Sequence, residues 1–169
     1  LVPTDFWLSV KLAKIVKHCW LEAYDEVGGL DFTRACAPKV IHLIGSASWD
    51  KGTYTLGTAE GGLKVTLYMG NWLDLTNVDR MNEYYFKVMH HEFAHILHQK
   101  KNYPVDYDKI SAGNYTPTGW QNRKLAEVAP LGFVTPYAGS KPSEDIAEVT
   151  ACFLTYPEAQ WENVMTLAG

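Results

Sequence analysis

The sequence predicts an α+β fold, a single domain over residues 1–169 in which a small, twisted, mainly antiparallel sheet packs on one long helix, with a second helix near the C-terminus. Three observations lead there. Short runs rich in β-branched residues, punctuated by glycine turns, lie between residues 39 and 69; Thr76 to Lys101 runs without Gly or Pro; and an acid-led apolar stretch spans Ser143 to Tyr156. At 169 residues the chain is long enough for one core and short for two. With 47% apolar and 20% charged residues it has the balance of a folded globular protein, and no run approaches the length of a membrane span. A formal charge of -4 leaves no basic surplus to neutralise phosphates, which excludes nucleic acid as the expected partner.

In chain order, Phe6, Val10, Ala13, Val16, Trp20 and Ala23 recur every three or four positions, so Asp5 to about Tyr24 reads as an amphipathic helix capped by Thr4 or Asp5. "EVGGLDF" interrupts it. "KVIHLIG" (39–45) reads as a buried strand closed by Gly45, and "TYTLGT" (53–58) as a second short strand. After "AEGG", "LKVTLYM" (63–69) alternates Leu63, Val65, Leu67 and Met69 against Lys64, Thr66 and Tyr68, the pattern of a half-buried strand. Antiparallel pairing across these turns is the least costly topology, and "LKVTLYM" at a sheet edge would offer an extended peptide a place to pair. The long helix from Thr76 has Asn77 or Asp79 as N-cap and Lys100 and Lys101 at its end. Residues 102–136 are too rich in Pro and Gly for one element, although "GWQNRKLAEVA" suits a short helix; a connection this long is usually functional or poorly ordered. "SEDIAEVTACFLTY" then reads as a helix of about three turns, with Ser143 as N-cap and Pro157 just past its end. Cys19, Cys36 and Cys152 never form CxxC, which argues against a thiolate zinc site and a disulfide scaffold; they are expected as buried small apolar side chains, with one pair and a spare left open.

The long helix contains "HEFAH", residues 91–95, which fits H-E-x-x-H. On a helix, positions four apart differ by about 40° and one turn, so His91 and His95 can present imidazole nitrogens to one metal. Glu92 is turned about 100° aside, near the open coordination position, where its carboxylate can take a proton from water. A helix with histidines on a polar face is the plainer reading, but Phe93, Ala94, Ile96 and Leu97 make this turn apolar and imply buried imidazoles in need of partners. A hydrolytic zinc takes three protein ligands and leaves the fourth position to water. His98 is a poor third, since seven residues carry it about 10.5 Å along the axis. His90 points about 100° away from His91, and position 101 is Lys where the longer H-E-x-x-H-x-x-G-x-x-H pattern needs His. His90 and His98 are therefore expected in packing or in support of a ligand. Glu144 and Glu148 share a helix face, so one carboxylate can bind the metal while the other accepts the free N–H of a ligand histidine. Complementing the helix dipole is the plainer reading of these acids and explains Glu144 and Asp145 well but Glu148 less well; of the two, Glu144 is taken as the metal-binding carboxylate. Tyr137, bracketed by Pro136 and Gly139, sits in a turn from which its hydroxyl could donate to an oxyanion; a core or rim tyrosine is equally open.

"HEFAHILHQ", a long loop and "GFVTPYAGSKPSEDIAE", together with "APKVIHLIGSASWDKGTYTLGTAEGGLKVTLYMGNWLD", resemble the zinc-binding metallopeptidases of Gram-negative bacteria, specifically the substrate import-associated zinc metallohydrolase lipoproteins. The spacing from Tyr137 to Glu144 to Glu148 is similar to that of glutamate-type zincins. The resemblance implies a zincin-like domain with zinc held by His91, His95 and Glu144, Glu92 as general base, Tyr137 at the oxyanion, and Glu148 and His98 supporting the ligands. It further implies a peptide or protein substrate and an outer-membrane lipoprotein of the cell envelope, periplasmic or surface-exposed, beside importer components; a monomer is the separate expectation. With no lipobox cysteine at the start of this sequence, the anchor is expected upstream or removed. A catalytically silent zinc-binding accessory protein of the import system is the alternative, and a non-peptide amide substrate would leave the metal argument unchanged.

Overall fold

A computed structural model describes residues 1–50 and 52–169. The chain forms two compact units, Leu1–Lys100 and Lys101–Gly169.

In the first unit, helix α1 (Phe6–Ile15) starts at Asp5, whose carboxylate accepts the Trp7 and Leu8 amides at 2.9 and 3.1 Å. It runs through a wider π-helical turn (Val16–Leu21) into α2 (Glu22–Gly28), so the anticipated helix is present and longer than its periodicity suggested. Leu12, Val16 and Trp20, each four apart, all face the core; the wider turn offsets the drift that an ideal helix imposes on such a spacing. Gly29, at φ 82°, stops α2, and α3 (Leu30–Cys36) begins at once, a helix the sequence reading had taken only for an interruption.

The strands are β1 (Val40–Leu43), β2 (Ser48–Asp50), β3 (Thr53–Thr55), β4 (Gly57–Glu60) and β5 (Lys64–Leu67). One sheet has the order β1-β5-β4, with β4 antiparallel to β5 but β1 parallel to it; β2 and β3 form a separate antiparallel pair. Pairing among the described strands is mainly antiparallel, as expected, except that β1, which reaches β5 across three intervening strands instead of through a tight turn, runs parallel to it. One expectation is corrected. "LKVTLYM" is not an edge but the centre, so Thr66 is buried along with Val65 and Leu67, and alternation is lost. The edges are β4 and β1, and at an edge Val40 is 51% exposed where a buried strand was expected. "TYTLGT" is divided between β3 and β4.

α4 (Val78–Met81) starts at Asn77, whose side chain accepts the Arg80 amide at 2.9 Å, and continues through a second π-helical stretch (Asn82–Phe86) into α5 (Lys87–Lys100). The core joins α5 to the sheet and the first helix: Met89, Phe93 and Ile96 pack with Val65, Leu67, Val16 and Trp20. Phe93 meets Trp20 edge-on at 5.4 Å and Tyr24 at 4.6 Å. At Gly57 a Cβ would lie 2.4 Å from Val88 Cγ1, so only glycine lets β4 come this close to α5.

The second unit contains α6 (Tyr107–Ile110), α7 (Leu125–Val128), α8 (Pro142–Thr155) and α9 (Glu158–Ala168), with short 3-10 turns at Trp120–Asn122, Ala129–Leu131 and Ala138–Ser140. Val128, Phe133, Val134, Ala138, Cys152 and Val164 form its core. The residues before α8 are tied down by the Thr116 amide on the Gly139 carbonyl (2.7 Å) and by the Tyr115 hydroxyl on Asp145 Oδ2 (2.8 Å). Ser143 is not the cap of α8. The cap position is Lys141, two residues earlier, and the helix starts at Pro142, whose fixed φ and missing N–H suit a first helical position. Helix α9 was not anticipated.

Of the three cysteines Cys152 is buried as expected, whereas Cys36 is half-buried and Cys19 is exposed on the π-helical turn, contrary to the buried role expected of them. Among the described residues no helix is long and apolar enough to cross a membrane.

Candidate metal centre

Helix α5 buries most of its circumference, His91 and Glu92 included, while His95 is half-buried. His91 Nε2 and His95 Nε2 lie 3.1 Å apart, with ring centroids at 4.7 Å and planes at 80°. Two nitrogens bound to one tetrahedral zinc at about 2.0–2.1 Å would sit about 3.3 Å apart, so the pair needs only a small adjustment to share an ion. Glu144 lies in the first turn of α8 with its side chain almost fully buried and Lys141 Nζ 3.3 Å from Oε1. One nitrogen of each histidine and one Glu144 oxygen all lie within 4.8 Å of one another. Two imidazoles and a carboxylate are the donor set of a three-ligand zinc site, and burial of these groups is what a bound cation would offset.

Among the described residues His90 and His98 are outside this set. Nδ1 of His90 is 2.8 Å from the Tyr24 hydroxyl, and burial pushes the His90 pKa down to about 4, so this imidazole is neutral and packs the first helix onto α5. Burial, then the charge of His95, also lowers the His98 pKa. Glu92 faces β4: a Cβ at Gly57 would lie 3.4 Å from its Oε1. Tyr137 is half-buried, its ring 4.7 Å from that of Trp120 with planes at 53°. Glu148 is buried and accepts the Thr135 hydroxyl at 2.6 Å. Asp145, placed by the helical wheel away from Glu144, is buried as well, and its carboxylate holds Tyr115; burial raises its pKa to about 6 against the lowering effect of that hydroxyl. Gly57, Tyr115, Trp120 and Thr135 were not singled out by the sequence. They lie in turn-rich or short segments where no periodicity marks a polar or small residue as a partner.

The chain is an α+β protein in which His91, His95 and Glu144 are a group that could hold a metal ion. Residues 1–169 match the family described as putative zinc-binding metallo-peptidase, and the chain belongs to that family. The metal of the family is zinc, and a peptidase acts on peptides or proteins. A search of curated proteins finds no match to the chain.

Proposed function

We propose that the protein is a zinc-dependent peptidase of the glutamate-zincin kind, with His91, His95 and Glu144 as ligands and Glu92 as general base. The observation that carries this reading is the approach of the three ligand atoms to within 4.8 Å in a chain of the zinc-binding peptidase family. Bound there, zinc would supply Lewis acidity, polarising the scissile carbonyl and lowering the pKa of water. Glu92 takes the proton of the attacking water and returns it to the leaving amine. Tyr137 donates to the carbonyl oxygen as negative charge gathers on it. Glu148 and His98 support the ligand set. β4, an edge strand of its sheet among the described residues, runs beside Glu92 and would give an extended peptide backbone partners with little demand on sequence.

The same reading takes the protein as a monomeric, single-domain enzyme of the cell envelope, lipid-anchored to the outer membrane beside importer components; sequence resemblance supports the localisation, and fractionation of the cells that produce the protein tests it. For the activity, zinc-loaded protein is incubated with a mixed-peptide library and new termini are read by mass spectrometry. Cleavage that a chelator abolishes and added zinc restores is expected. Stoichiometric zinc without cleavage would favour the accessory reading.

A further inference from the structure

The turn that carries Tyr137 is pinned by a residue outside the ligand set. Thr135 Oγ1 donates to Glu148 Oε2 at 2.6 Å and accepts the Ala138 amide at 3.1 Å. A hydroxyl owns one proton, and with a lone pair committed to the amide that proton is directed at the carboxylate. Glu148, 4% exposed, lies on α8 one turn beyond Glu144, and Ala138 is fully buried. Both partners of Thr135 are thus fixed, and between Thr135 and Ala138 lie only Pro136, with its locked φ, and Tyr137. From the other side Trp120 sets its ring against that of Tyr137 at 4.7 Å, and its loop joins the same turn through the Thr116 amide on the Gly139 carbonyl at 2.7 Å.

We propose that Thr135, through Glu148 and Ala138, and Trp120, through ring contact, are positioning residues that fix the Tyr137 hydroxyl. Its use at the oxyanion rests on the peptidase reading; its fixation does not. A donor serves a developing oxyanion only within hydrogen-bond reach, and a misplacement of about 1 Å costs on the order of 10²-fold.

Thr135→Val keeps the shape and removes both hydrogen bonds, whereas Thr135→Ser keeps both. The expected result is a kcat lower by about 10- to 100-fold in Thr135→Val, with KM and zinc content unchanged, and near-normal kcat in Thr135→Ser. In a Tyr137→Phe background Thr135→Val should add less than about twofold, because the group it positions is gone. The Trp120 ring current falls on Tyr137, so the Tyr137 ring resonances, assigned by their loss in Tyr137→Phe, report the spacing of the two rings without any need for activity. They should move in Thr135→Val and stay in Thr135→Ser. Should Thr135→Val fail to fold, Trp120→Leu, at a half-exposed position, takes its place in the kinetic cycle. Unmoved resonances in Thr135→Val, or kcat losses that add in full to that of Tyr137→Phe, would overturn the inference. Wild-type protein that cleaves no peptide would instead sink the peptidase reading and leave the resonances to decide the positioning.

Discussion

Glu92 is the side chain whose removal should separate metal binding from chemistry. It is buried on α5 against β4 and lies outside the set whose ligand atoms converge. Glu92→Gln keeps its volume and removes its basicity, so zinc content should hold while turnover falls by about 10²- to 10⁴-fold. Turnover equal to wild type in zinc-loaded protein would take Glu92 out of the mechanism. Glu144→Ala should weaken zinc binding far more than His98→Ala does in metal titrations, and the reverse order would mean that His98 is the third ligand. The spacing of His91 and His95 was legible because one helical turn fixes it without help from the rest of the chain. Glu144 was legible as the expected third donor through its place on a helix and the family resemblance, but no spacing within the sequence fixes its distance from the histidines. Thr135, Trp120 and Tyr115 were not legible, since each lies in a segment that carries no period and meets its partner through a tertiary contact.

At the level of elements, the helices bearing His91 and Glu144 could be read because long stretches without Gly or Pro, or led by acids and closed by Pro, leave few other conformations. Shorter pieces were missed or misplaced. The seven residues of α3 follow Gly29 directly, β2 has three residues, and α9 presents Trp161, Val164 and Met165 with too little regularity to mark an inner face. The parallel pairing of β1 with β5 is a non-local choice, made by the α5 core and not by either strand's pattern. That packing is testable at Gly57. Gly57→Val puts branched carbon where a Cβ alone would sit 2.4 Å from Val88, so it should destabilise the fold by about 1–3 kcal/mol in denaturant unfolding. A stability equal to wild type would mean that β4 does not press on α5 as described. Asp5→Ala removes the acceptor of two amides at the start of α1 and should cost about 1 kcal/mol, read as a lower unfolding midpoint; an unchanged midpoint would mean that Asp5 does not cap α1.

For the molecule as a whole, zinc held by groups on α5 and α8 should link stability to metal, because the unfolded chain does not gather His91, His95 and Glu144. At free zinc of about 100 times Kd, the stabilisation is about 2.7 kcal/mol, visible in calorimetry as a Tm that falls on chelation and recovers on adding zinc. A Tm indifferent to chelator would argue against a site of this kind. The most direct measurement of the central claim is zinc X-ray absorption on the metal-loaded chain, with Glu144→Ala beside it. The account predicts one zinc per chain with two imidazoles and otherwise oxygen donors, and zinc lost from Glu144→Ala at a concentration that saturates the wild type. A third imidazole, a sulfur donor, or full zinc occupancy in Glu144→Ala at that concentration would contradict it.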